Sequence, residues 1–205
     1  STSAWTAYER GDREFCGNEL PNGMRKNEKL PEPIITPSTK AAKGDHDESV
    51  PPSELYKRGV VDPALYKELA RISMRLYERG VSRAADHGLI FVDTKYEFGI
   101  SNGKIMLMDE VNTPDSSRYW MADDYEKRFE KKEEPRKLDK EYVRTWLADK
   151  GFTGDGKPPK LTDELRIEAA ARYMEVVETF TGEPMQLEIG PVDKSIYSIL
   201  NPFAY

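Results

Sequence analysis

Two apolar runs, each followed at once by carboxylates, constrain the fold of this 205-residue chain more than any other feature. The first run covers residues 89–92 and the second covers residues 105–108, with the pair Asn102-Gly103 between them. Asn-Gly favours a tight turn because both residues tolerate a positive φ. The pattern therefore predicts two buried strands joined as an antiparallel hairpin.

Charged residues extend both predicted strands. If the first strand continues past its apolar run, alternation places Asp93, Lys95 and Glu97 on one face. The second run is followed by Asp109 and Glu110. Antiparallel pairing across the turn would then bring Glu97 close to Asp109, with Lys95 beside them.

Two interpretations of this hairpin remain open. In one, it is a surface hairpin whose charges point outward and whose Lys95 pairs with neighbouring carboxylates. In the other, the carboxylates line a half-buried cleft, where a divalent ion such as Mg²⁺ would offset their repulsion. Residues 115–118 follow directly and add hydroxyls and a guanidinium suited to phosphate. Mg²⁺ beside Lys and Arg is typical of sites that handle nucleotide phosphates.

A second candidate segment covers residues 36–49. Pro31, Pro33 and Pro37 hold the chain before it extended, because each ring fixes φ. The segment itself concentrates hydroxyls, charges and the imidazole of His46. It is either a solvated loop or a loop that closes over a polar ligand.

The rest of the chain predicts three helices. Asp62 is a good N-cap for the first, which is expected to end near His87, with Gly80 as a weak point inside it. The others are expected from about 139 to 151 and from about 162 to 181. Inward positions of the last helix are predicted to be Leu165, Ala169, Tyr173, Val176 and Phe180. Residues 1–50 favour short strands and turns, and the charge run at 126–140 favours a solvated surface. The whole pattern predicts an α+β fold, with helices packed on a mainly antiparallel sheet.

Composition excludes several classes of protein. A net charge of −6 gives no electrostatic reason to expect nucleic acid or an anionic membrane as partner. Cys16 is the only cysteine, so no intrachain disulfide and no cysteine-based zinc site is expected. No apolar run approaches the roughly 18 residues of a membrane-spanning helix, and no signal peptide is recognisable. We therefore expect a cytoplasmic protein. The sequence also lacks the phosphate-binding pattern G-x-x-x-x-G-K-[ST].

Three sequence blocks together resemble the SAICAR synthetase (phosphoribosylaminoimidazole-succinocarboxamide synthase) family. DTKYEFG at 93–99 is similar to the family signature Asp-x-Lys-x-Glu-Phe-Gly. DEVNTPDSSRYW at 109–120 is similar to the Asp-Glu-x-x-Thr-Pro-Asp-Ser-Ser-Arg segment that follows it. The third block is PEPIITPSTK at 31–40 with HDE at 46–48. The resemblance covers roughly residues 1–180 in collinear order.

The resemblance implies a fold and an activity. The fold would be the larger, ATP-grasp-related lobe of this family. The activity would be that of an ATP-dependent carbon–nitrogen ligase of purine biosynthesis. It would join L-aspartate to CAIR (carboxyaminoimidazole ribotide) and release SAICAR, ADP and phosphate. ATP and Mg²⁺ would be required, and the oligomeric state is left open between a monomer and a homo-oligomer.

The resemblance also assigns site residues. The implied catalytic residues are Lys95, Glu97 and Asp109, of which Glu97 and Asp109 would hold Mg²⁺. The implied substrate-binding residues are Ser3, Lys40, Asp47, Asp93, Asp115, Ser117 and Arg118. Among these, Lys95, Asp115, Ser117 and Arg118 would face CAIR and its phosphate.

The sequence departs from the family pattern at its first residues. STSAW at 1–5 resembles the end of the signature Arg-x-x-x-Thr-Gly-Ser-x-Trp, with Thr2 where glycine is usual and Ser3 matching the serine near the CAIR phosphate. The signature arginine and the family's N-terminal lobe, which carries the glycine-rich loop and the nucleotide lysine, are not among these residues. We therefore expect residues 1–182 to form the C-terminal catalytic and substrate lobe, with 183–205 as an extension. The alternative is a non-catalytic module that binds a phosphorylated ligand, or an inactive fragment of the enzyme.

Overall fold

The computed structural model describes residues 3–39, 47–138, 140–152, 154, 156–185 and 190. In this part of the chain the helices are α1 (Ala4–Glu9), α2 (Pro52–Lys57), α3 (Pro63–Ala85), α4 (Tyr125–Glu130), α5 (Glu141–Asp149) and α6 (Asp163–Thr181). The strands are β1 (Glu14–Phe15), β2 (Asn18–Glu19), β3 (Leu89–Thr94), β4 (Glu97–Ser101), β5 (Lys104–Met108) and β6 (Ser117–Met121). The predicted α+β class is confirmed.

The strands form antiparallel pairs, β1 with β2, β3 with β6, and β4 with β5. The predicted turn at Asn102-Gly103 is confirmed, since both residues have a positive φ and Ser101 pairs with Lys104 beside them. The predicted partner of the first apolar run is wrong, because β3 pairs with β6 and not with β5. The chain leaves β3 after Thr94, so the predicted continuous strand is divided into β3 and β4.

The second apolar run is also not buried, contrary to the prediction. The side chains of Met106 and Met108 on β5 are 49% and 45% exposed, and Ile100 on β4 is 57% exposed. The reason is that, within the described residues, the β4–β5 hairpin forms a sheet of two strands with no third strand beside it. The apolar composition of residues 105–108 therefore predicted a strand correctly but its burial wrongly.

The main core lies between α3, the β3–β6 pair and α6. A continuous series of rings runs through it, from Tyr77 to Phe91, then Tyr119 and Phe180, with successive centroids 5.4, 5.1 and 5.4 Å apart. Gly80 is buried at the contact between α3 and β3. A Cβ placed on Gly80 would lie 2.7 Å from the Phe91 ring. The glycine that was predicted to weaken the helix is therefore where α3 approaches the sheet closely.

Local signals define the ends of the long helices as predicted. The Asp62 carboxylate accepts hydrogen bonds from the backbone N–H groups of Ala64 and Leu65. The Thr162 hydroxyl caps α6 in the same way, and Gly182 ends that helix in the left-handed conformation. The expected start of the middle helix near Asp139 lies outside the described residues, and α5 itself begins at Glu141.

The sequence did not predict the short helices α1, α2 and α4. Residues 1–50 were expected to contain strands and turns, yet residues 4–9 are helical. The charge run at 126–140 was expected to be a solvated surface, and its first residues belong to α4. Six-residue helices carry too few periodic positions to be recognised from sequence. Among the described residues, no helix has the length and apolar character needed to cross a membrane.

Candidate functional site

The centre of the candidate site is Lys95, in the two-residue connection between β3 and β4. Its Nζ lies 2.6 Å from Glu97 Oε1 at the start of β4. The Lys95 side chain is 58% exposed, whereas that of Glu97 is only 15% exposed. The pair therefore has a largely buried carboxylate and a cation that reaches toward solvent.

Two further carboxylates act on the same cation. The pKa of Lys95 is raised, chiefly by its hydrogen bond with Glu97, while partial burial acts in the opposite direction. The charges of Glu97, Asp47 and Asp109 raise it further. Three of the predicted site residues are thus within electrostatic reach of Lys95, which stays protonated at neutral pH.

The hairpin register explains why Asp109 reaches this point. Glu97 is the cross-strand partner of Met108, and Asp109 is the next residue after Met108. Asp109 has φ = 62°, so the chain turns sharply where it leaves β5. Five cross-strand residue pairs, which lead back from the Asn102-Gly103 turn, therefore bring the Asp109 backbone next to Glu97, as predicted.

The second part of the site belongs to the β3–β6 pair. Asp93 and Arg118 are register partners, and Arg118 Nη2 lies 3.0 Å from Asp93 Oδ2. Ser117 is buried, and its hydroxyl donates to Thr94 Oγ1 at 2.9 Å. The Arg118 guanidinium is thus held beside the site by a carboxylate, while the Ser117 hydroxyl stabilises the strand pair.

Asp115 has partners that sequence reasoning missed. Lys140 Nζ, at the start of α5, lies 3.4 Å from Asp115 Oδ2. The Tyr173 hydroxyl, on α6, lies 3.5 Å from Asp115 Oδ1. Tyr173 was predicted only as an inward residue of its helix, and Lys140 only as part of a charge run. No local pattern could place them here, because their approach depends on how α5 and α6 pack.

A short antiparallel bridge joins the residues on the two sides of positions 40–46. Ser38 pairs with Ser49, and the Thr39 N–H donates to the Glu48 carbonyl at 2.9 Å. The guanidinium of Arg58, the C-cap residue of α2, holds the Glu48 carboxylate through two nitrogens, at 2.6 and 3.3 Å. Asp47 thus directly precedes a residue that is held at both its carbonyl and its carboxylate. Lys40 and His46 lie outside the described residues.

Ser3 is at a different element from the hairpin. It is the N-cap residue of α1, and its carbonyl accepts a hydrogen bond from the Ala7 N–H at 3.1 Å. Its predicted contact with a substrate phosphate stays a prediction.

Comparison with known proteins identifies the family. The model of the SAICAR synthetase family matches residues 4–160, which is most of the chain. The chain belongs to the SAICAR synthetase family. Phosphoribosylaminoimidazole-succinocarboxamide synthase of Bacteroides thetaiotaomicron is 52% identical over 183 residues, covering 88% of this chain and 58% of the relative. The chloroplastic synthase of Arabidopsis thaliana is 46% identical over 198 residues, covering 96% of this chain and 47% of the relative.

Solved structures of the family have the same fold. SAICAR synthase from Saccharomyces cerevisiae in complex with SAICAR superposes with a TM-score of 0.70 at 32% identity, over 90% of this chain and 57% of that one. A type-2 SAICAR synthetase in complex with ADP gives a TM-score of 0.59 at 28% identity, over 80% of this chain and 57% of that one. The predicted SAICAR synthetase-like fold is confirmed. The chain spans about half the length of the relatives that it matches, from 47% to 58% in those named here.

The carboxylates of Glu97 and Asp109, at the base of the β4–β5 hairpin, are candidate ligands for Mg²⁺. Among the described residues, no group of three or more His, Cys, Asp or Glu side chains forms a cage for a metal ion. Mg²⁺ does not need one, since it is usually bound by one or two carboxylates together with water and substrate phosphates. Glu97 and Asp109 fit that mode. Their role as ligands stays a prediction. In the structure, Glu97 forms an ion pair with Lys95.

Proposed function

We propose that this chain is the substrate lobe of an ATP-dependent ligase that joins L-aspartate to CAIR and forms SAICAR, ADP and phosphate. The observation that carries the proposal is the arrangement around Lys95, with Glu97 in contact and Asp47 and Asp109 acting on its charge. These residues belong to the sequence blocks that resemble the family signatures. The complexes of related synthases with SAICAR and with ADP support the assignment.

The chemistry needs an activated carboxylate, because a carboxylate is a poor electrophile. In the first step, an oxygen of the CAIR carboxylate attacks the γ-phosphorus of ATP, and ADP leaves. In the second step, the amine of aspartate attacks the carbonyl carbon of the resulting acyl phosphate. Phosphate then leaves with the bonding electron pair, and the amine nitrogen loses a proton. An amide bond has formed at the expense of one phosphoanhydride bond.

Residues of the site have separate roles in this scheme. Glu97 and Asp109 would hold Mg²⁺, which supplies positive charge to the transferring phosphoryl group when bound. The Lys95 ammonium adds a second fixed positive charge at the same place. Such preorganised charges stabilise the transition state because they need no reorganisation during the reaction.

Recognition of CAIR is assigned to the β3–β6 side of the site. The Arg118 guanidinium has a planar fork of donors that matches a phosphate group. Asp93 holds one of its nitrogens at 3.0 Å, which orients the fork before substrate arrives. Asp115 lies beside Lys140, so its predicted contact with CAIR would be made within a charged cluster.

The second candidate is a module that binds a phosphorylated ligand without turning it over. The observation that favours it is the Arg118 guanidinium, which Asp93 holds at 3.0 Å and whose planar fork of donors matches a phosphate group. The domain division at residues 182 and 183, the oligomeric state and the cytoplasmic location stay predictions.

The decisive experiment compares two proteins in one assay. One is residues 1–205, and the other is a chain that includes these residues and reaches the full length of the relatives. ADP release is measured with CAIR, aspartate, ATP and Mg²⁺, and SAICAR binding is measured by calorimetry. The proposal expects aspartate-dependent turnover by the longer chain. SAICAR binding by both chains without turnover by either would favour the non-catalytic module.

A further inference from the structure

The loop between β5 and β6, residues 109–116, carries three acidic residues and no regular secondary structure. It contains two non-glycine residues in the left-handed region, Asp109 with φ = 62° and Asn112 with φ = 57°. This conformation is uncommon for residues with a side chain, and Asn and Asp tolerate it best. A loop with two such residues needs contacts that hold it in place.

Asn112 is the point at which those contacts converge. The Tyr96 hydroxyl donates to Asn112 Oδ1 at 2.8 Å, and the Tyr119 hydroxyl donates to the Asn112 backbone carbonyl at 2.5 Å. On its other side, Asn112 Nδ2 lies 3.0 Å from the position that a Cβ on Gly80 would occupy. Asn112 is therefore held by hydrogen bonds to its side-chain oxygen and to its backbone carbonyl, and it lies close to the surface of α3.

The Tyr119 hydroxyl is a permanent donor. Burial raises the pKa of Tyr119 to about 12, so its hydroxyl keeps its proton throughout the physiological pH range.

The two donors come from the two halves of the candidate site. Tyr96 lies between Lys95 and Glu97 in the sequence, and Tyr119 follows Arg118 on β6. Asn112 lies midway between Asp109 and Asp115 on the loop. The two hydrogen bonds thus tie the loop to the backbone that carries Lys95 and to the backbone that carries Arg118.

We propose that Asn112 is a positioning residue, which sets where Asp109 and Asp115 lie relative to Lys95 and Arg118. Its side chain makes no part of the chemistry and acts through the placement of the loop. The effect on turnover rests on the proposed function, whereas the effect on the loop does not.

Three variants separate the contributions of Asn112. Asn112→Gly keeps access to the left-handed region and removes the amide. Tyr96→Phe removes the other end of the same hydrogen bond. Asn112→Asp keeps an oxygen acceptor for Tyr96 and tolerates the same backbone conformation. Asn102→Gly is the matched control, because Asn102 also has a positive φ but belongs to the hairpin turn.

Hydrogen exchange on residues 1–205 tests placement of the loop directly. The backbone N–H groups of Thr113, Ser116 and Ser117 are hydrogen-bonded within the loop segment and report on its order. We expect exchange of these groups to be about ten-fold faster in Asn112→Gly and in Tyr96→Phe. Asn112→Asp should restore most of the protection, and Asn102→Gly should leave it unchanged.

Kinetics of the longer chain test the consequence for turnover. A small displacement of positioned groups costs on the order of 10- to 100-fold in rate, so kcat of Asn112→Gly and Tyr96→Phe should fall by that factor. KM for ATP should stay within about two-fold, which distinguishes displaced catalytic groups from lost substrate binding. The double variant should be no slower than the slower single variant, because both changes break one hydrogen bond.

The outcomes distinguish the two proposals. Unchanged exchange in both Asn112→Gly and Tyr96→Phe would overturn the positioning role, whatever the activity. Faster exchange with an unchanged kcat would overturn it as well, since the loop would then move without consequence. Absence of turnover in the unmodified longer chain would count against the proposed function alone, and the exchange data would still decide whether Asn112 holds the loop.

Discussion

At the candidate site, the largely buried carboxylate of Glu97 contacts the exposed ammonium of Lys95. Glu97 is 15% exposed and Lys95 is 58% exposed, yet the two are in contact. A carboxylate in such a position is costly to leave unpaired, and the Lys95 ammonium offsets its charge.

Replacing the proposed metal ligands tests their assignment at the residue scale. In the longer chain, Glu97→Gln and Asp109→Asn should each lower kcat by about 100-fold or more, because charge neutralisation at the phosphoryl group is lost. The melting temperature should change little, since both replacements keep the size of the side chain. Glu130→Gln, at an exposed position of α4, is the matched control. Wild-type kcat in both variants at low Mg²⁺ would rule out the ligand assignment.

A conservative change at Arg118 tests substrate recognition. Arg118→Lys keeps the charge and loses the planar fork, so KM for CAIR should rise while KM for ATP changes little. Steady-state kinetics with each substrate varied in turn would measure this. Arg71→Lys is the control, because Arg71 forms a comparable surface pair with Glu68 away from the site. A raised KM for ATP alone would place Arg118 at the nucleotide.

Elements of secondary structure show why the sequence predicted some contacts and not others. The Asn102-Gly103 turn and the Asp62 cap each involve residues within four positions of one another, so the local sequence pattern was sufficient to predict them. The pairing of β3 with β6 joins segments that are separated by the complete β4–β5 hairpin. The alternation of apolar and polar side chains along a strand shows which face is buried but not which strand pairs with it. For the same reason the sequence indicated Lys95, Glu97 and Asp109, which are near one another in the chain, but missed Lys140 and Tyr173.

Packing of α3 on β3 depends on the absence of a side chain at Gly80. Alanine is favoured over glycine inside a helix by about 1 kcal/mol, so propensity alone predicts that Gly80→Ala is stabilising. We expect the opposite, a loss of about 1–3 kcal/mol in the free energy of unfolding from overpacking. A Cβ there would lie 2.7 Å from the Phe91 ring and 3.0 Å from Asn112 Nδ2.

Urea denaturation of Gly80→Ala measures this loss. Ser82→Ala, at an exposed position of the same helix, is the control and should unfold close to the wild-type midpoint. If Gly80→Ala proved as stable as the wild type, the contact between α3 and β3 would be looser than the structure has it.

At the scale of the whole molecule, we expect residues 1–205 to fold without catalysing ligation. The core between α3, the β3–β6 pair and α6 supplies its own apolar contacts. ADP release with CAIR, aspartate, ATP and Mg²⁺ should stay at background, because the resemblance implies that the family's glycine-rich loop and nucleotide lysine belong to a lobe that is not among residues 1–205. Circular dichroism would verify folding in the same sample. Turnover equal to that of a full-length relative would show that the nucleotide site lies within these residues.

Exposed apolar side chains on the β4–β5 hairpin add a second expectation for the isolated chain. Ile100, Met106 and Met108 are each about half exposed, and a two-stranded sheet offers unpaired backbone groups along its sides. Sedimentation of residues 1–205 should therefore show self-association that increases with protein concentration. Met106→Lys should reduce it, and a monomer at all concentrations would contradict the expectation.

The insertion of the hairpin between β3 and β6 has a consequence for the order of folding. The β4–β5 contacts are local in sequence, so they can form early, whereas joining β3 to β6 requires closure of the chain from 95 to 116. A preformed hairpin shortens the flexible part of that closure and lowers its entropic cost. Destabilising the Asn102-Gly103 turn would then mainly slow folding, whereas overpacking at Gly80 would mainly accelerate unfolding.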